Sequence, residues 1–192
     1  MAKKKDNKGI IILLGLLLLG GSSRRGSGSG GNGSGTGSGY TSSHENRQFS
    51  EADLRNAFQV AKADFGATIA GQAEQLYRKE TRNFDSGQFR KTFSPGMEDW
   101  STNDVYPFGW SSLETFLNQY PKYKGQFFLV AMTENNTGIT KKYIGFPTLE
   151  GAVMFVAWTI KKRGNPGYWR SWDETTAQNY YKSLLKYPIQ YT

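Results

Sequence analysis

A chain of 192 residues, 15% of them aromatic, is long and apolar enough to bury one core of ordinary domain size. It has no cysteine and one histidine, His44, which excludes thiolate nucleophiles, serine–histidine triads and histidine-ligated zinc from the part that folds. Of the formal net charge of +8, residues 46–192 hold only +4, with 18 Lys and Arg against 14 Asp and Glu, so no strong basic patch and no nucleic-acid partner is expected.

Residues 1–8, MAKKKDNK, are basic and precede an apolar segment at 9–21 whose core is Ile10 to Leu19. A spanning helix needs about 20 apolar residues. This segment has 13 even with its glycines, and neither an Ala-x-Ala nor a lipobox cysteine follows it. It reads as an uncleaved anchor in a thin bilayer, as a signal segment, or as an apolar stretch docked in a protein shell. The lysines on its amino side favour a cytoplasmic N-terminus, with the following domain on the non-cytoplasmic side or in a virion membrane. Residues 22–45, rich in Gly and Ser, have no apolar face to bury. They form a flexible tether, and 22 such residues reach about 25 Å.

Globular sequence begins at Asn46. Ser50 with Asp53 three residues on opens a helix whose face is Leu54, Ala57, Phe58 and Ala61, and Gly66 stops it. A second helix runs from Ile69 to Glu80. A short third one follows over DSGQFRKTF, capped by Asp85 or Ser86. After the loop SPGMEDWSTNDVYPFGW, the spacing of Leu113, Phe116 and Leu117 predicts a helix ending before Pro121. Alternation on both sides of ENNTG predicts a β-hairpin with Gly138 at positive φ. Thr148 caps a central helix, apolar nearly all round, that ends at Arg163 and Gly164. Ser171 with Glu174 reads as a capping box for a last helix whose face is Ala177, Tyr180, Tyr181, Leu184 and Leu185. The expected architecture is α+β, mostly helical, with one small β-hairpin.

Glu80 is the conspicuous residue of the second helix. It lies three, four and seven residues after Tyr77, Leu76 and Ala73, which places a carboxylate on the apolar stripe. Such an acid is either paired, here with Arg78, Arg82 or Arg90, or kept protonated for chemistry by desolvation and the negative end of the helix dipole.

Several residues together resemble one family. These are Glu80 and Thr81 at a helix end, then Phe84, Ser86 and Phe89, then Ser94-Pro95-Gly96-Met97 and Pro107-Phe108-Gly109-Trp110. A small hairpin follows, and Phe146-Pro147-Thr148 opens a core helix. The pattern over residues 46–192 is similar to the lysozyme-like superfamily, closest to the glucosaminidase and lytic-transglycosylase domains with which bacteria and phages cut peptidoglycan. The resemblance implies a lysozyme-like fold and a glutamate general acid, which by position is Glu80. Where the family commonly has Glu-Ser-Gly, this chain has Glu80-Thr81-Arg82. Tyr180 or Tyr181 matches the family's aromatic closing helix, with one of them facing the site. For a second acid the choices are Glu98, Asp99, Asp104 and Glu134, of which Glu134, on the hairpin turn, sits where retaining lysozymes keep theirs. If none serves, the lytic-transglycosylase route needs only Glu80.

Tyr106, Phe108 and Trp110 are the candidate sugar-binding residues, because Pro107 and Gly109 place them in a loop; Trp169 and Trp172 offer further flat faces. No cofactor or metal is expected. The leading expectation is a membrane-tethered domain acting on peptidoglycan glycan strands, and the alternative is a non-enzymatic structural protein of a membrane-containing phage virion that keeps the fold.

Overall fold

In the computed structural model, which describes residues 46–96, 110–133 and 138–192, six helices and one hairpin follow each other along the chain. They are α1 (Glu51–Phe65), α2 (Ala67–Glu80), α3 (Gly87–Thr92), α4 (Trp110–Gln119), β1 (Phe128–Thr133), β2 (Thr140–Gly145), α5 (Leu149–Arg163) and α6 (Glu174–Leu184). Short 3-10 turns lie at Pro121–Tyr123 and Pro166–Trp169. The expected α+β class, mostly helical with one small hairpin, is what these residues form. The N-terminal segments 1–8, 9–21 and 22–45, the loop residues Tyr106 and Phe108, and Glu134 lie outside the described residues. Among the described residues no helix is long and apolar enough to cross a membrane.

Local chemistry starts and stops the helices. Ser50 Oγ accepts from the Asp53 amide at 3.1 Å while Asp53 Oδ2 accepts from the Ser50 amide at 2.8 Å, the reciprocal capping box that the sequence predicts. Gly66, at φ 87°, then serves as both the end of α1 and the start of α2. Thr148 caps α5, and residues 151–160 of that helix are all buried. Around α5 pack α1, α2 and α4, bringing together Phe58, Leu76, Tyr77, Phe116, Phe155 and Ile160, each fully buried. Burial of one such side chain is worth about 1.5–3 kcal/mol.

The hairpin is antiparallel, with Phe128 opposite Gly145 and Thr133 opposite Thr140. A Cβ on Gly145 would come within 2.5 Å of the Phe128 ring, so the glycine is what lets that ring lie across β2. Gly138, at φ 67°, occupies the turn as expected. Arg47 fastens the hairpin to α3. Its Nη1 donates to the Phe146 carbonyl at 2.5 Å, its Nη2 to the Lys91 carbonyl at 2.9 Å, and its guanidinium lies 3.7 Å from the Phe93 ring centre. Burial pushes its pKa down to about 10, which leaves it charged at neutral pH.

Two sequence expectations are corrected. The last helix is capped by Asp173, whose Oδ1 accepts from the Thr176 amide at 2.8 Å, while Ser171 accepts from the Asp173 amide at 3.0 Å. Asp caps a helix as well as Ser does, and it stands immediately before the helix-forming run, so the nearer residue takes the role. The second correction concerns α2. Its fully buried acid is Glu74, whereas Glu80 is only half-buried.

Glu74 is matched on every side. Oε1 accepts from Arg78 Nε at 2.9 Å, from Arg78 Nη2 at 2.7 Å and from the Gln190 amide at 2.9 Å; Oε2 accepts from the Tyr191 amide at 2.9 Å. Arg78 Nη2 also donates to the Gln190 side-chain oxygen at 2.8 Å. The segment beyond α6 is thereby laid along α1 and α2. Tyr191 stacks on Phe58, with ring centres 6.1 Å apart, and Ile189 comes so close to Gly71 that a Cβ there would meet it at 2.8 Å. That segment covers a side of α2 the apolar pattern leaves polar, so Glu74, Gln75 and Arg78 are buried with their partners.

Candidate active site

Glu80 is the last residue of α2, and the chain beyond it turns in an unusual way. Thr81, buried, donates from Oγ1 to the Tyr77 carbonyl at 2.6 Å and accepts at the same atom from the Phe84 amide at 2.8 Å. Arg82, Asn83 and Phe84 then follow at φ 53°, 57° and 68°, three successive residues in the left-handed region without a glycine. Each such residue costs about 1–2 kcal/mol, least for Asn. The turn is held by the Asn83 amide on the Arg78 carbonyl at 2.8 Å and by the Asp85 and Ser86 amides on the Thr81 carbonyl at 2.9 and 2.8 Å. It returns Phe84 to the core, stacked on Tyr77 with ring centres 6.2 Å apart, and leaves Glu80 at the rim. Backbone strain of this kind collects where a side chain must be held in one place.

The Glu80 carboxylate is met from α6. The Tyr180 hydroxyl donates to Oε1. Burial pushes that hydroxyl far above the usual tyrosine range, and the negative charge of Glu80 beside it adds to the effect, so Tyr180 stays a proton donor at every physiological pH. The Lys79 ammonium sits 3.8 Å from the centre of the Tyr180 ring and donates to Ser183 Oγ, which donates in turn to the Tyr180 carbonyl at 2.5 Å. The tyrosine is thus fixed by a cation on its ring and by the next turn of its own helix.

None of the three arginines suggested as ion-pair partners of Glu80 is one. Arg78 is committed to Glu74, Arg90 pairs with Asp85 at 2.9 Å, and among the described residues no cation comes within ion-pair distance of Glu80.

Of the site residues read from the sequence, Glu80 and Tyr180 come together. Tyr181 does not join them; its hydroxyl accepts from Gln72 Nε2 at 3.0 Å. Trp110 is placed as the first residue of α4. Tyr106, Phe108 and Glu134 are outside the described residues, as are Glu98, Asp99 and Asp104. Trp169 is partly buried against the core, while Trp172 is 40% exposed. Sequence reasoning missed Lys79 and Ser183. The signal was present in Ser183, three residues after Tyr180 and so on the same helical face.

A separate cleft of about 310 Å³ lies among Gln48, Asn56, Phe93 and Leu149. Its acids are occupied: Asp53 belongs to the capping box, and Glu150 accepts from Tyr123 at 2.6 Å and from Lys122 at 3.1 Å. No residue around Glu80 lines it. No protein-family model, no curated protein and no solved structure matches this chain.

Proposed function

We propose that residues 46–192 are a lysozyme-like domain that cleaves peptidoglycan glycan strands, with Glu80 as general acid, held to a membrane on its non-cytoplasmic side through residues 9–21. The observation that carries this reading is the hydrogen bond from Tyr180 to Glu80 Oε1 at the half-exposed end of a core helix. A neutral carboxylic acid has one accepting and one donating oxygen. A permanent donor on Oε1 makes that atom the carbonyl oxygen and leaves the acid proton to Oε2, aimed by the same contact. The family likeness is supported by the order of parts: an acid ending a core helix, a small hairpin, and a helix opened by Phe146-Pro147-Thr148 and buried over residues 151–160.

In this mechanism Glu80 gives its proton to the glycosidic oxygen as the bond from that oxygen to C1 breaks. Two routes complete the reaction. With a second carboxylate, for which Glu134 is the candidate, water adds at C1 and its proton passes to the carboxylate that acts as base. With Glu80 alone, the sugar's own C6 hydroxyl bonds to C1 and returns its proton to Glu80, closing an anhydro ring and restoring the acid. Tyr106, Phe108 and Trp110 are the proposed sugar-binding residues.

The test is to digest purified cell walls with the chain and identify the released fragments by mass spectrometry. An anhydro end, a reducing muramic acid or a reducing glucosamine would each support glycan cleavage and would name the bond and the route. A folded chain that releases no fragment would overturn the reading and favour a structural role in a membrane-containing virion.

A further inference from the structure

We propose that the end of α6 and the start of α2 form a face that docks on the surface of a bilayer containing anionic lipid, with Leu185 and Ile189 entering the headgroup boundary and Lys182 and Lys186 taking lipid phosphates. The inference rests on the reading that residues 9–21 hold the chain to a membrane, and it is independent of the chemistry at Glu80.

Of the four large apolar side chains that stand most exposed among the described residues, two lie here, Leu185 at 57% and Ile189 at 50%. The sequence pattern puts Leu185 on the inner face of the last helix beside Leu184. Successive helical residues point about 100° apart, so the rotation that buries Leu184 turns Leu185 outward. Pro188 prevents α6 from continuing, and the chain turns back until Ile189 meets Gly71 of α2, where a Cβ would stand 2.8 Å from Ile189 Cδ1. Gln72, the next residue of α2, donates to the Tyr181 hydroxyl at 3.0 Å, and Tyr181 lies one turn before Leu185. Thr68, exposed, stands one turn before Gly71 and Gln72 on the same side of α2. These contacts join Leu185, Tyr181, Gln72, Ile189 and Thr68 into one surface. Tyr181, half-buried, adds a ring with a polar tip, which suits the level of lipid headgroups.

Charge selects what covers this surface. The helix α2 has no ionisable residue before Glu74, which is buried with Arg78, and no acidic side chain occurs from Thr175 to Thr192. Lys182 and Lys186 are the only charged side chains of that last stretch; both are exposed, and among the described residues neither has an ion-pair partner. In the last turn of α1, which leads through Gly66 into α2, Lys62 and Asp64 offset each other. A second copy seated here across a two-fold axis would set the lysines against their own kind. Anionic lipid complements them, and interfacial binding grows with the apolar area that enters and with the attraction of basic residues to such lipid. Two apolar side chains and two lysines would hold a free protein weakly. On a chain already held to the membrane the docking is intramolecular, and a Gly/Ser tether with a reach of about 25 Å keeps the face within range. Docked through Thr68, α2 holds Glu80 about 18 Å along its axis from the lipid-facing end.

The chain has no cysteine, so Thr68→Cys takes a single environment-sensitive dye. The full chain is placed in vesicles of neutral phosphatidylcholine and in vesicles with added phosphatidylglycerol, and flotation reports whether it is held. On the anionic vesicles the dye is expected to shift to the blue and to be quenched by a lipid-borne nitroxide but not by aqueous iodide. A dye on Thr133→Cys, in the hairpin, should stay open to iodide. Lys182→Gln with Lys186→Gln should lower the ratio of docked to undocked chain about 10- to 30-fold on anionic vesicles and leave it unchanged on neutral ones. Leu185→Gln, which leaves Ile189 on Gly71, should lower it about tenfold on both. A chain that floats with the vesicles while the Thr68 dye remains open to iodide would overturn the docking face and leave the anchor standing. A dye shielded from both quenchers, as beneath a second copy, or variants that dock as the parent does, would overturn the face as well. A chain that does not float would remove the anchor and the face with it.

Discussion

The hydroxyl of Tyr180 in α6 donates to Oε1 of Glu80 at the end of α2, so a side chain 100 residues away fixes one oxygen of the candidate acid. Tyr180→Phe keeps the ring beneath Lys79 and removes only the donor. The expected result is a loss in kcat of about 2- to 10-fold, the worth of one hydrogen bond to the neutral acid, with KM little changed and the fold intact. An unaltered kcat would make the contact purely structural.

Glu80→Gln should reduce cell-wall cleavage by a factor of about 10² to 10⁴, and by more if the same residue also takes the proton back. Because Glu80 has no ion-pair partner among the described residues, the melting temperature should barely move. Both quantities are to be read on one preparation; a folded Glu80→Gln chain with full activity would remove Glu80 from the chemistry.

Glu74→Ala should do the reverse. It strands the Arg78 cation in the interior and unpairs the Gln190 and Tyr191 amides, at a cost of about 3–5 kcal/mol. Urea unfolding measures that loss, and the rate per folded molecule should be unchanged. A Glu74→Ala chain as stable as its parent would show that the clamp is not what holds the 187–191 segment.

Alkaline pH should destabilise the domain in a defined window. Burial raises the pKa of Tyr77 and of Tyr180 above the ordinary 10.0, so the unfolded chain releases both protons near pH 10 and the folded chain keeps them. Their contribution is complete below pH 10 and falls above it, each tyrosine adding a slope of about 1.4 kcal/mol per pH unit. Denaturant unfolding between about pH 8 and pH 11, with tyrosinate absorbance followed in parallel, checks it. The Tyr77→Phe chain should show the shallower decline.

Arg82→Gly should stabilise the chain by about 0.5–1 kcal/mol, since Arg82 is exposed at φ 53° and glycine removes the left-handed penalty while adding some unfolded-state entropy. Thermal melting reads the gain. Destabilisation would mean that the arginine side chain contributes more to the turn than its backbone costs.

What the sequence discloses here is what short-range chemistry decides. The Ser50–Asp53 box, the Thr148 cap, the Gly164 stop and the Gly138 turn each depend on residues within four positions, and each is found where the spacing puts it. The Asp173 cap is missed only because Ser171 and Glu174 offer an equally good local pattern. Glu80 could be singled out, but not its exposure, which depends on a left-handed turn that no glycine announces. Choosing Tyr180 over Tyr181 needs the rotation of α6 about its axis, fixed in part by the approach of Gly167 to Ala177. The burial of Glu74 is not legible in the sequence because its partners lie as far off as Gln190 and Tyr191.

That separation of 116 residues between Glu74 and Gln190 sets a clock on biosynthesis. At roughly 5–20 residues per second, a ribosome that has just added Glu74 needs about 6 to 23 seconds more to make the amides that complete its binding. Through that interval the helix pair α1–α2 carries an acid it cannot bury in full and a face that Tyr191 and Ile189 have yet to cover. The clamp on Glu74 therefore cannot be completed until nearly all of residues 46–191 have been made.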